Sequence, residues 1–250
     1  MSTFDALYLY AITDRPEALL PAMSGLEDAP LCKLTYQDLT GVMSFVTTRQ
    51  IQPTEANLWQ HEAIVEALMA DRTVLPVRFG TVFSNEATAQ AELLTHQTDL
   101  IANLKRVRGR VELGLRVLIN DEQPPSRAAL QEQAQDDERD AVAPTTSAPI
   151  SRGRAYLNAR QEEERQARAA RQQAETLAAE IHTALAHLIV ESVQQVLVTP
   201  RLLLTAAYLV ERDRVEAFRQ QIVTLSAAYP ALSLLCTGPW PPYNFVDLQT

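Results

Sequence analysis

The chain has 250 residues, 46% of them hydrophobic, with 31 acidic against 22 basic residues and a formal net charge of −9. This is a globular composition, long enough for two ordinary domains or one large one. The acidic balance argues against a nucleic-acid partner, which needs clustered cations, and no apolar run approaches the roughly 20 residues that span a bilayer.

Residues 1–5 carry no basic segment followed by an apolar core, so no signal peptide is read and a reducing cytoplasm is expected. Residues 6–12 form a short, aromatic-rich strand. Residues 16–23 suit a short helix with Asp14 as cap and Gly25 as stop. Residues 31–36 and 41–47 read as strands around a turn at Gln37-Asp38-Leu39-Thr40. Residues 54–71 are a helix, because Leu58, His61, Ile64, Val65 and Leu68 share one face at helical spacing. Residues 73–83 return as a strand, in which Pro76 removes a ladder donor and so points to an edge strand or to the first pair of a strand. The order is strand, helix, strand, strand, helix, strand, the split βαβ arrangement called ferredoxin-like.

Residues 85–108 follow as one polar-capped helix carrying Leu93, Leu94, Leu100, Ile101 and Leu104. Residues 110–120 alternate: Val111, Leu113, Leu115, Val117 and Ile119 point one way, Glu112, Gly114, Arg116 and Asn120 the other. Gly114 marks a close backbone approach or a bulge. Residues 121–150 are acidic and proline-bearing and read as a flexible insert. A long helix is expected over about residues 151–191. Its first half is polar; its second half carries the seam Ala167, Ala170, Ala174, Leu177, Ile181, Ala184, Leu188 at alternating spacings of three and four, a partly coiled-coil-like pattern. Strands at 194–199 and 202–210, a helix at 214–229 with Val215, Phe218, Ile222 and Leu225 on one face, and a strand at 232–236 complete the series. The expected fold is α+β: two tandem ferredoxin-like domains, residues 1–108 and 109–250, the second with an overlong first helix.

Two stretches are idiosyncratic. One is Leu75-Pro76-Val77-Arg78-Phe79-Gly80-Thr81-Val82-Phe83. The other is Thr237-Gly238-Pro239-Trp240-Pro241-Pro242-Tyr243-Asn244-Phe245-Val246, whose prolines make it stiff and extended. It is read as an interdomain strap with its aromatics packed back, Trp240 included, the alternative being an exposed adhesive patch of Trp240, Tyr243 and Phe245. With the Leu7-Tyr8-Leu9-Tyr10-Ala11-Ile12 strand and Gly153-Arg154-Ala155-Tyr156-Leu157 opening the long helix, these stretches stand in the order found in the gas vesicle protein F/L family, which the chain resembles over nearly its whole length. The resemblance implies a minor component or assembly factor of gas vesicles. Its implied partner is the hydrophobic major shell protein, shielded from aggregation while a vesicle is nucleated. Other accessory gas vesicle proteins are further partners it implies, and a scaffold that binds only those is the alternative. It does not distinguish the F branch from the L branch.

The residues themselves offer little catalytic chemistry. His61-Glu62 lacks a histidine at residue 65, which is Val65, so no zinc-protease helix is present. His182 and His187 are five apart and fall on different sides of a helix. Seven glycines form no phosphate loop before a helix. Cys32 has no companion that the sequence assigns as a base. Cys236 ends an apolar run and reads as a small buried hydrophobe, with a Cys32–Cys236 disulfide left open. The paired carboxylates at Asp136-Asp137 and Glu162-Glu163-Glu164 lie in solvated segments. Arg78 and Arg116 are read as exposed or internally paired arginines on an outer sheet face, or else as receptors for a partner carboxylate. No catalytic, cofactor-binding or metal-ligating residue is assigned, no cofactor is expected, and partner-contact residues are unknown. The expected protein is an interaction protein, with a small-molecule enzyme on a ferredoxin-like fold as the weaker alternative.

Overall fold

The computed structural model describes residues 6–120, 149–197 and 202–246. They form an α+β protein with two antiparallel sheets. The first sheet is built on β1 (Ala6–Thr13), every residue of which is buried. A bulge between Leu9 and Ala11 interrupts its pairing with β3. The bulge inverts the alternation of side chains. Leu7, Leu9 and Ile12 therefore enter one apolar cluster, and Tyr8, Tyr10 and Ala11 the other. One strand with large side chains on both faces seeds two cores.

The expected helix at 16–23 does not form; that stretch is a series of turns before β2 (Leu31–Tyr36). Pro21 cannot donate into a helical ladder. The carbonyls are taken by distant cations instead: Lys33 Nζ donates to Pro16 O and Ala18 O at 2.6 and 3.0 Å, and Arg72 Nη2 donates to Leu19 O at 2.6 Å. A two-residue turn at Gln37 and Asp38 leads to β3 (Leu39–Val46). Helix α1 (Glu55–Met69) starts at Thr54, whose side chain accepts the Asn57 N–H. It packs Ile64, Val65 and Leu68 under β1, while Leu58, expected on that face, is 41% exposed.

The single strand expected at 73–83 is two short ones, β4 (Val74–Pro76) and β5 (Val82–Phe83), with an excursion between them. Both pair only with β1, giving the order β2-β3-β1-β4. Pro76 therefore does sit on an edge strand. The helix expected at 85–108 is also two, α2 (Glu86–Thr95) and α3 (Gln97–Val107), broken at His96 with φ −102° and ψ 10°. The break lets Ala89, Leu93, Leu100 and Leu104 all reach the cluster over β1.

Gly109, at φ +71°, turns the chain into β6 (Arg110–Ile119). Helix α4 (Pro149–Leu185) ends six residues short of expectation. The β-branched run after it forms β7 (Ile189–Val196) instead, which pairs with β8 (Leu202–Glu211). Residues 121–148 of the expected acidic insert lie outside the described residues, and Pro149 and Ile150 are helical. Of the seam, Ala174 and Ile181 are buried, Leu177 and Ala184 pack against the core, Ala167 is exposed, and Leu188 falls beyond the helix end. Helix α5 (Val215–Ala228) follows, then β9 (Leu232–Trp240). The second sheet has the order β7-β8-β6-β9, all neighbours antiparallel. Leu204, Ala206, Tyr208 and Val210 of β8 face α4 and α5. Ala207 and Leu209, from its other face, join the cluster that also holds Leu9, Leu104 and Phe245. A single apolar cluster therefore spans both sheets.

Candidate functional site

The two idiosyncratic stretches meet in one hydrogen-bonded region around Tyr8, His61 and Glu112. In the excursion between β4 and β5, Val77 N–H donates to Tyr10 O at 3.1 Å and Leu9 N–H donates to Thr81 O at 3.0 Å. The chain leaves β1 only over residues 78–80. Gly80, at φ +90°, turns it back, and its N–H donates to Tyr8 Oη at 3.1 Å. Tyr8 Oη in turn donates to His61 Nδ1 at 2.9 Å, and His61 Nε2 donates to Val77 O at 3.1 Å. Tyr8 must donate here, because its oxygen already accepts the Gly80 N–H and one protonated ring nitrogen serves Val77. Phe79 closes the group edge-on to the rings of Tyr8 and His61.

Both nitrogens of His61 are thus occupied, and burial pushes its pKa down from 6.5 to about 4. It is a neutral clamp on the 75–83 excursion, as its place on the apolar face of α1 implied. Burial also holds the Tyr8 phenol well above its usual range. Arg78 lies exposed at the tip of the excursion and Arg116 is exposed on β6; neither forms an ion pair among the described residues.

The second stretch begins inside β9, which runs on through Trp240 rather than stopping at Cys236. Gly238, at φ +103°, lies so close to β6 that a Cβ would stand 2.7 Å from Glu112 O. No other residue fits there. A Cβ on Gly114 would likewise stand 2.7 Å from a side-chain atom, Thr237 Oγ1, and the pairing with β9 shifts register between Glu112 and Gly114, a bulge, which is one of the two readings of this glycine. Beyond Trp240 the chain folds back as expected of a strap. Pro241, Pro242 and Phe245 are buried. Trp240 is not: it is 42% exposed, contrary to expectation. It closes β9 opposite Glu112 of β6.

Two carboxylates that the sequence reading passed over anchor the strap. Glu112, only 6% exposed, accepts from the Asn244 backbone N–H at 2.8 Å and from Asn244 Nδ2 at 2.6 Å. Tyr243 Oη donates to Glu62 Oε1 at 3.0 Å. Burial raises the pKa of both Glu62 and Glu112, opposed by these hydrogen bonds. Burial, then the Glu62 carboxylate and the Tyr8 phenol nearby, drive the Tyr243 phenol upward. Glu112 had only its place on the polar face of β6 to mark it, and 132 residues separate it from Asn244.

The remaining reactive groups are dispersed. Among the described residues no three His, Cys, Asp or Glu side chains converge as a metal site would. His182 Nδ1 pairs with Gln194 Nε2 at 2.7 Å, and His96 Nε2 contacts Glu92 Oε1 at 3.2 Å. Cys32 and Cys236 are both free thiols, each pushed up by burial. No described helix is long and apolar enough to cross a membrane. The arrangement is internal wiring that fixes two stretches of surface, which suits docking rather than proton transfer.

Comparison with known proteins agrees with this outline. The family described as gas vesicle synthesis protein GvpL/GvpF matches residues 6–247. Gas vesicle protein F2 of Halobacterium salinarum is 29% identical over 247 residues, covering 97% of this chain and 93% of the relative. Gas vesicle protein L of a Streptomyces species is 28% identical over 268 residues, covering 99% and 95%. The crystal structure of GvpF from Microcystis aeruginosa superposes with a TM-score of 0.72 at 21% identity, over 98% of this chain and 100% of that one. GvpF from an Anabaena species gives 0.71 at 21%, over 98% and 97%. The chain belongs to the GvpL/GvpF family and shares the GvpF-like fold.

Proposed function

We propose that this member of the GvpL/GvpF family is an assembly factor of gas vesicles that binds the hydrophobic major shell protein and limits its aggregation while a vesicle is nucleated. The observation that carries the reading is the family match over residues 6–247. The surface is suited to it. Among the described residues β7 pairs only with β8, which makes it an edge strand, and Val190 and Val193 on it are 39% and 49% exposed. An edge of this kind accepts an added strand through main-chain hydrogen bonds. The net charge of −9 keeps a complex with an apolar subunit dispersed. Residues 1–108 and 109–250 act as two units in this reading. The order fourth, first, third, second in both sheets supports a ferredoxin-like description of each, the first without its first helix.

Co-purification with soluble shell-protein fusions tests the proposal. Retention of the fusion by the full chain is the expected result. A chain that retains other accessory gas vesicle proteins but not the shell protein would overturn it in favour of a scaffold. Saturable turnover of a small molecule would overturn it in favour of an enzyme.

A further inference from the structure

A cavity of about 620 Å³ opens where the end of β1, the C-terminal end of α1, the turn into β6 and the residue after β8 come together. Five arginines line it, Arg15, Arg72, Arg108, Arg110 and Arg212, against three carboxylates. In a chain of net charge −9 this is a local reversal of sign. Part of that charge is already used. Arg108 Nη2 meets Asp14 Oδ2 at 2.7 Å. Arg72 donates through Nε and Nη2 to Asp71 at 2.7 and 3.0 Å. Arg212 Nη2 donates to Met69 O at 2.5 Å, and Arg110 donates through Nη1 to Arg106 O and meets Glu211 Oε1 through Nη2 at 3.7 Å.

What remains is unusual. Arg72 Nη1, Arg110 Nε and Asp14 Oδ1 are buried and have no hydrogen-bond partner among the described residues. Arg72 is 7% exposed as a whole residue. Five such side-chain atoms occur among the described residues, and three belong to residues lining this one cavity. A buried cationic donor without an acceptor is costly and rare, and two of them belong to residues that line this cavity. Guanidinium groups match the planar oxygens of carboxylate and phosphate. The volume lies within the range of small-molecule sites.

We propose that this cavity binds a small oxyanion of at least two negative charges, with phosphate or carboxylate groups set against Arg72 and Arg110. The inference goes beyond the assembly role and stands or falls separately from shell-protein binding.

Calorimetric titration of the full chain with pyrophosphate and with citrate, each against sodium chloride of matched ionic strength, tests it; the two arms separate phosphate from carboxylate preference. Saturable one-site binding of at least one is expected. The melting temperature should rise by several degrees at a ligand concentration of about 100 times Kd. Arg72→Met and Arg110→Gln should each weaken binding at least tenfold. Arg15→Ser, an exposed position, covers the case in which Arg72→Met does not fold, and should weaken binding severalfold. Arg165→Ser on the exposed part of α4 should leave it unchanged. Absence of saturable binding in both arms overturns the proposal, and so does binding that survives Arg110→Gln and Arg15→Ser.

Discussion

Replacing Phe245 with alanine tests whether the C-terminal stretch ties the two sheets together. Phe245 is 3% exposed, in a cluster with Leu7 and Leu9 of β1, Leu100 and Leu104 of α3, and Ala207 and Leu209 of β8. Its neighbour Asn244 is held on Glu112 by two hydrogen bonds, so the backbone cannot slide to fill a gap. Sheets on both sides resist collapse, and a truncation of this type costs about 3–5 kcal/mol. For a chain of this size each kcal/mol lowers the melting temperature by about 2–4 °C, so a fall of roughly 6–20 °C is expected. Trp240→Ala is the companion variant. Because Trp240 is 42% exposed, water occupies the vacated space, no cavity forms, and the cost stays below about 3 kcal/mol. Chemical denaturation of parent and both variants, read as midpoint and slope, gives the comparison. A Phe245→Ala protein melting within about 3 °C of the parent would refute the strap, as would Trp240→Ala proving the more damaging of the pair.

The His61 clamp predicts a pH dependence. The unfolded chain takes up a proton as pH falls below 6.5, while folded His61 resists until about 4. The stability contributed by neutral His61 is therefore whole above pH 6.5 and drains between 6.5 and 4, by about 3 kcal/mol in all. Glu62 and Glu112, with raised values, act with the opposite sign. The readout is accordingly the difference between parent and His61→Gln in denaturation midpoint, which should shrink on acidification; a constant difference would be the contrary result. Gly25→Ala should destabilise by about 1–3 kcal/mol or more, since its Cβ would stand 2.6 Å from Tyr10 Oη and 2.7 Å from Ser44. Gly41→Ala, 3.2 Å from the flexible ends of Leu9 and Met43, should be clearly milder by the same assay. Arg106→Ala removes an exposed ion pair with Glu191 between α3 and β7 and should cost under about 1 kcal/mol, less at high salt.

Local periodicity carried the α+β class and most of the elements. The strands at β2, β6 and β8 and the helices α1 and α5 lie within a few residues of where alternation and helical spacing put them. The failures share a cause. At residues 16–23 a cap and a stop residue framed a possible helix, but Lys33 and Arg72, distant in the chain, claimed the carbonyls. At 189–191 the expected end of the long helix became the start of β7 because β8 offered a ladder. Each is a tertiary partner outbidding a local preference.

The same division separates what was legible at the candidate site from what was not. His61 could be read as a core histidine, because burial on a helix face is a local property. Glu112 could not, because its strand position marks it as polar and only the returning Asn244 makes that polarity useful inside the protein. The wiring also explains why these stretches look idiosyncratic. In 75–83, Val77, Phe79 and Gly80 are each tied to Tyr8 or His61, and in 237–246, Gly238, Tyr243 and Asn244 are each tied to β6 or α1. Most of their unusual composition is therefore spent inward, on holding the excursion and the strap. The residues left exposed from them are Arg78, Gly80, Thr237, Pro239, Trp240 and Asn244, of which Arg78 is the one cation and Trp240 the one aromatic ring. Rigid presentation of a few such groups lowers the ordering cost of association, which favours a docking role over chemistry for this part of the molecule.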